Sequence, residues 1–140
     1  MKKTIEVVSV RNHIFRQRVE LDGFDELFID VPVAYGGEGT APDPHDYFDL
    51  SLGGCKAITS MMYAKRKGWP LEGISVKVHR DDSEERQGVY RLDVEMTFHG
   101  IEDPEQLARL EEISHKCPIH RLMTSSTVEV TTRTLSLIHI

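Results

Sequence analysis

Two cysteines stand out among the 140 residues: Cys55, directly after Gly53-Gly54, and Cys117, directly before Pro118. Either could act as a nucleophile, because the thiolate and not the thiol attacks, and a neighbouring arginine lowers a thiol's pKa by several units. A thiolate that attacks a peroxide becomes a sulfenic acid, and a second cysteine can condense with it to a disulfide. That chemistry needs a thiolate, a cation to hold it ionised, an acid or hydrogen-bonding group nearby, and a second thiol. The competing reading is plainer, since free cysteine ordinarily packs as a small buried hydrophobe. Composition alone favours the plainer reading.

Other chemistry-bearing residues point less clearly. His115, Cys117 and His120 are three potential metal ligands, but zinc would need a fourth, and their spacing matches none of the usual structural patterns. No metal is therefore expected. Gly36-Gly37-Glu38-Gly39 lacks the Gly-Lys-Ser/Thr that completes a phosphate loop. Arg16 and Arg18 share one face of a strand, where a solvated role is the ordinary one. Asp46 has an equally local explanation as a carboxylate in the first turn of a helix. The run Asp81 to Arg86 reads as solvated.

The elements that must position these residues follow from periodicity and turn chemistry. Ile5, Val7 and Val8 open a first strand that ends near Arg11-Asn12. Phe15, Val19 and Leu21 share one side of a second, the turn Asp22-Gly23 follows, and Leu27 to Val31 form a third. This is an antiparallel meander. Pro32 to Pro44 holds three glycines and reads as a loop. A helix then starts with Asp43 at the N-cap, Pro44 at N1 and Asp46 at N3. Between Tyr47 and Lys67 it is apolar around most of its circumference, so it should be buried in the middle of a fold or between subunits. Lys65-Arg66-Lys67 suit its C-terminal dipole, and Gly68 with Pro70 stop it. Two adjacent glycines inside this helix cost roughly 1 kcal/mol each relative to alanine. A closely packed backbone, or a substrate that needs the room, would compensate.

Two alternating strands follow, with Ile74, Val76 and Val78 in one and Tyr90, Leu92, Val94, Met96 and Phe98 in the other. A second helix begins with Asp103 at the cap, Pro104 at N1 and Gln106 at N3, and carries the stripe Leu107, Leu110 and Ile113, continued by Cys117. Pro118 breaks or restarts it, and Val128-Glu129-Val130 are expected as a last strand. No role attaches to the tail 136–140. Strand runs separated by helices, joined by meander turns, predict an α+β fold. The length predicts one domain over residues 1–140.

Lys plus Arg is 17 and Asp plus Glu is 23, a net charge of −6, which argues against a nucleic-acid partner. No apolar run is long enough for a membrane span, and MKKTIEVVSV lacks a signal-peptide core. Two separated thiols suit a cytosolic protein and not a disulfide framework.

The stretch Asp43 to Cys55, DPHDYFDLSLGGC, resembles the first cysteine motif of the OsmC/Ohr family, and Lys116 to Arg121, KCPIHR, resembles its second. Arg66 to Ile74 is similar to the OsmC-like branch that also occurs fused to serine-hydrolase domains. The resemblance runs roughly from Val31 to Val130. It implies an α+β homodimer in which two chains intertwine around paired central helices. It implies a peroxidase for alkyl or lipid hydroperoxides, with Cys55 peroxidatic, Cys117 resolving, a dithiol reductant and no cofactor. The family places a glutamate nine residues before the first cysteine, where this chain has Asp46. One of Arg16 or Arg18 would stabilise the Cys55 thiolate, with Asp46 orienting the guanidinium. The alternative is a non-catalytic OsmC-like protein that holds an apolar ligand and whose thiols are incidental.

Overall fold

Strands β1 (Glu6–Ser9), β2 (Gln17–Leu21) and β3 (Phe24–Ile29) form the expected antiparallel meander in a computed structural model that describes residues 1–138. Val19 lies opposite Val7 on one side and Leu27 on the other, and Arg18 opposite Val8 and Phe28. The ladder slips between Val19 and Leu21, next to the Asp22-Gly23 turn, where Gly23 takes φ +83°. Helix α1 (Pro44–Lys67), the hairpin β4 (Gly73–Asp81) and β5 (Arg91–His99), and helices α2 (Pro104–Ser114) and α3 (Pro118–Ser125) complete the mixed α+β order.

The chain divides into two compact units. One holds Met1–Gly54 and Lys77–Glu95, the other Cys55–Val76 and Met96–Ile140. In the first, the glycine-rich loop is shaped by packing. A Cβ on Gly37 would sit 2.0 Å from the Val31 carbonyl oxygen, so only glycine fits. The buried Asp30 carboxylate ties the loop down by accepting from the Val31 and Thr40 backbone N–H groups and from the Thr40 hydroxyl. The start of α1 is closed reciprocally: the Asp46 N–H donates to Asp43 Oδ1 at 2.8 Å, and the Asp43 N–H donates to Asp46 Oδ2 at 3.0 Å. Tyr47 anchors that turn to the meander through its hydroxyl, which donates to the Phe28 carbonyl at 2.6 Å.

In the second unit, α1 ends in a Schellman motif. The Gly68 N–H donates to the Lys65 carbonyl, the Trp69 N–H donates to the Ala64 carbonyl, and Gly68 takes φ +72°. The core of this unit is Tyr63, Ala64, Ile101 and Leu110, with Trp69, Leu71, Phe98, Leu107 and Ile113 packed around it. Asp103 caps α2 by accepting from the Glu105 N–H at 2.9 Å, with Pro104 in the first turn. Pro118 restarts the chain as α3, and the preceding Cys117 is its N-cap.

The structure departs from expectation near the C-terminal end of the chain. Residues 128–130 form no strand; Val128 and Val130 are exposed and pair with no ladder among the described residues. Their β-branched side chains favour extended backbone, but a strand also needs a partner edge, which local propensity does not supply. The apolar circumference of α1 is covered only in part, for Phe48, Leu50, Ile58, Met61 and Met62 stay exposed within the single chain. Of the tail, residues 139–140 lie outside the described residues.

Candidate active site

The second unit brings the two cysteines together. Both are free thiols, Cys55 half-buried on α1 and Cys117 fully buried at the start of α3. Cys117 occupies the N-cap because the proline after it cannot donate a backbone hydrogen bond and is preset for a first turn. Its Sγ accepts the His120 N–H at 3.4 Å. Burial pushes the Cys117 thiol above its ordinary range, the His120 N–H and Lys56 pull it down, and Cys55 beside it pushes it up.

Lys56 follows Cys55 on α1 and is only 3% exposed. Its Nζ donates to the Ser114 carbonyl at 2.9 Å and lies 3.0 Å from His120 Nδ1. An ammonium at that distance makes Nδ1 the acceptor, so the neutral imidazole carries its proton on Nε2. His120 is held below its ordinary value by burial first and then by the Lys56 charge. The His115 ring stands edge-on to it with centroids 5.8 Å apart. His115, Cys117 and His120, the three potential metal ligands, thus serve hydrogen bonding and packing here. Among the described residues no group of three His, Cys, Asp or Glu side chains converges on a metal position.

In the first unit, Asp46 pairs with Arg80 and not with Arg16 or Arg18. Arg80 Nη2 donates to Asp46 Oδ1 at 2.8 Å, and its Nε donates to Asp49 Oδ2 at 2.5 Å. The Tyr90 hydroxyl donates to the other Asp49 oxygen at 2.7 Å. The Asp43 N–H and then Arg80 hold Asp46 below the usual carboxylate range. Burial and the bond to Asp49 push Tyr90 up to about 12. Arg80 is raised further above its already high value, chiefly by Asp49. Tyr90 also packs edge-on against Phe48, with centroids 5.8 Å apart, at the wall of a shallow hollow of about 340 Å³.

Arg16 donates from Nη1 to the Thr40 carbonyl at 3.3 Å and lies over the Phe28 ring, 3.9 Å from its centroid. Arg18 pairs with Glu20 at 2.7 Å on an exposed strand face. Gly54, just before Cys55, would place an added Cβ in open space, with nothing within 4 Å. At that glycine no close backbone approach accounts for the missing side chain.

Lys56, Arg80, Asp49 and Tyr90 are absent from the sequence-based site, although each left a trace. Lys56 is a charge inside a helix that is otherwise apolar nearly all round. Arg80 continues the inward alternation Ile74, Val76, Val78, and Tyr90 opens the apolar alternation of β5. Asp49 lies three residues after Asp46, on the same helix face.

A meander, a long helix, a hairpin and two short helices describe an α+β protein, one unit of which holds a half-buried and a buried free thiol. The family model of OsmC-like proteins matches residues 37–133, and the chain belongs to that family. No curated protein matches. Similar solved structures include an OsmC-like protein from Mycoplasma pneumoniae, at 16% identity and TM-score 0.71, covering 89% of each chain. An organic hydroperoxide resistance protein OsmC from Legionella pneumophila shows 19% identity and TM-score 0.63, covering 89% of this chain and 90% of that one. The organic hydroperoxide resistance protein OhrB of Bacillus subtilis shows 20% identity and TM-score 0.59, covering 87% and 91%. Among the described residues no helix is long and apolar enough to cross a membrane.

Proposed function

We propose that this OsmC-like protein is a thiol-dependent peroxidase that reduces organic hydroperoxides. The observation that carries the reading is the pair of free thiols on α1 and at the cap of α3, one reachable and one buried. The Cys55 thiolate attacks the distal oxygen of the hydroperoxide. The O–O bond breaks, an S–O bond forms, and the alcohol leaves after taking a proton, so that Cys55 is a sulfenic acid. The Cys117 thiolate then displaces hydroxide from that sulfur, which leaves as water, and an external dithiol returns two electrons to the disulfide.

In this proposal Asp46 orients a guanidinium. The guanidinium that Asp46 holds is that of Arg80, and Arg16 and Arg18 bind Thr40 and Glu20 instead. The exposed apolar side chains of α1, Ile58, Met61 and Met62 among them, support two further parts of the reading. A homodimer would cover them, roofing the groove of about 600 Å³ that these three line with Trp69 and Leu71 into an apolar enclosure suited to an alkyl or lipid substrate. The family match runs through both units, which supports a single OsmC-like domain, and the cytoplasm suits its free thiols.

The test is rapid mixing of the reduced protein with cumene hydroperoxide or hydrogen peroxide, followed by intact mass. A Cys55–Cys117 disulfide formed faster with the organic peroxide is expected. A protein that stays reduced while its groove retains an apolar probe would instead be the non-catalytic binder.

A further inference from the structure

Lys56 is the buried charge that neither the meander nor the Asp46 network uses. It is 3% exposed, and removing an ammonium from water costs several kcal/mol unless an anion or strong acceptors replace the water. Its partners are two neutral acceptors, the Ser114 carbonyl and His120 Nδ1. Among the described residues no carboxylate pairs with it. Burial pulls its pKa down, and the two groups that favour its charged form are the neighbouring Cys117 and Cys55. A cation with this environment is matched to an anion that exists only during part of a cycle.

The first turn of α3 ties these groups into one device. Cys117 is the N-cap, the His120 backbone N–H donates to its sulfur, and the His120 ring accepts from Lys56. The groups around Lys56 come from three segments: its neighbour Cys55 on α1, the Ser114 carbonyl at the end of α2, and Cys117 and His120 at the cap and first turn of α3, with the His115 ring packed on His120.

We propose that Lys56 is the internal counter-ion of the two thiols and the proton donor for disulfide closure, held in place by the Ser114 carbonyl and the His120 imidazole. The proposal rests on the reading of Cys55 and Cys117 as a redox pair oxidised by an organic hydroperoxide. In the closing step the Cys117 thiolate attacks the sulfur of the Cys55 sulfenic acid. The S–S bond forms, the S–O bond breaks, and the departing hydroxide takes a proton from Lys56 Nζ and leaves as water. The buried cluster passes from thiolate plus ammonium to disulfide plus neutral amine. Its net charge is zero before and after, so no uncompensated ion is stranded in the interior. Reprotonation of Lys56 and reduction of the disulfide to thiolate belong together for the same reason.

The test begins without peroxide. In the Cys55→Ser background, the Cys117 thiolate is titrated by its ultraviolet absorbance with Lys56 present and in Lys56→Met. An opposite charge within reach of an ionising group shifts it by about one to three units, so Cys117 should titrate at least about one unit higher without the lysine. An unchanged titration in a folded variant overturns the proposal. Should Lys56→Met not fold, the reciprocal measurement keeps the lysine. The Lys56 ¹³Cε resonance is followed against pH in the parent and in Cys117→Ser, and coupling between two sites is mutual. The lysine should titrate lower once the thiolate is gone, and identical curves overturn the proposal.

Single turnover then separates this inference from the peroxidase reading. With cumene hydroperoxide, folded Lys56→Met should accumulate trappable Cys55 sulfenic acid and close the disulfide at least about a hundred-fold more slowly. A disulfide that closes at the parent rate refutes the proton-donor role and leaves the peroxidase standing. A parent that never oxidises, with the coupled titrations intact, refutes the peroxidase and leaves only the counter-ion.

Discussion

Arg80→Met removes the centre of the network at the start of α1, and its cost can be worked out contact by contact. The Arg80 side chain is 28% exposed, Asp46 47% and Asp49 9%. The half-exposed Asp46 arm is worth at most about 1 kcal/mol, since solvent screens it and the side chains give up freedom to form it. The Asp49 arm differs, because among the described residues that carboxylate keeps only the Tyr90 hydroxyl once the guanidinium is gone. Hydrogen bonds to charged groups contribute about 1.5–3 kcal/mol. The whole substitution should therefore cost about 2–3 kcal/mol, most of it through Asp49. Urea unfolding at one fixed protein concentration, by linear extrapolation, measures the loss. Double-mutant cycles apportion it, with a coupling of about 2 kcal/mol expected for Arg80 with Asp49→Asn and under about 1 kcal/mol with Asp46→Asn. Equal couplings, or a total below about 0.5 kcal/mol, would refute this account of the network. Asp46→Asn alone should cost at most about 1 kcal/mol, because the asparagine oxygen can still accept the Asp43 N–H and the half-exposed Arg80 arm it gives up is worth no more than that. A peroxide reactivity that falls much further would be the mark of a functional carboxylate.

Three other outcomes are expected. Cys55→Ser should abolish oxidation by organic hydroperoxide, whereas Cys117→Ser should allow one turnover and leave a sulfenic acid that a dimedone-type trap captures, both read by intact mass. Exchange of these behaviours would reverse the assigned roles. Light scattering at micromolar concentration should report a homodimer, and Met62→Glu, at a side chain 66% exposed in the single chain, should shift it towards monomer; a monomeric parent would refute the assembly. Tyr90 gives an alkaline signature. Its pKa is raised from 10.0 to about 12 in the folded chain, so the stability it adds is fully present below about pH 10 and is lost as pH rises through about 12. Thermal unfolding should show that loss in the parent and not in Tyr90→Phe.

Whatever is decided within a few residues is legible in the amino-acid order. Asp43-Pro44 and Asp103-Pro104 start α1 and α2, and Gly68 ends α1, because a cap satisfies backbone groups only one turn away. The alternation of the meander and hairpin strands was equally legible, since a pleated strand repeats every second residue. The two cysteine motifs mark Cys55 and Cys117 as one set, and the second unit holds both. Tertiary structure decided what depends on residues far apart in the chain. Asp46 takes Arg80, 34 residues away, and leaves Arg16 and Arg18 to Thr40 and Glu20. Lys56 finds its acceptors 58 and 64 residues on, at Ser114 and His120. Residues 128–130 have the composition of a strand and no ladder among the described residues. Propensity, caps and periodicity are local terms, written in neighbouring residues. Which guanidinium a carboxylate binds, and which acceptors a buried ammonium meets, is settled only when distant segments pack and water is excluded between them.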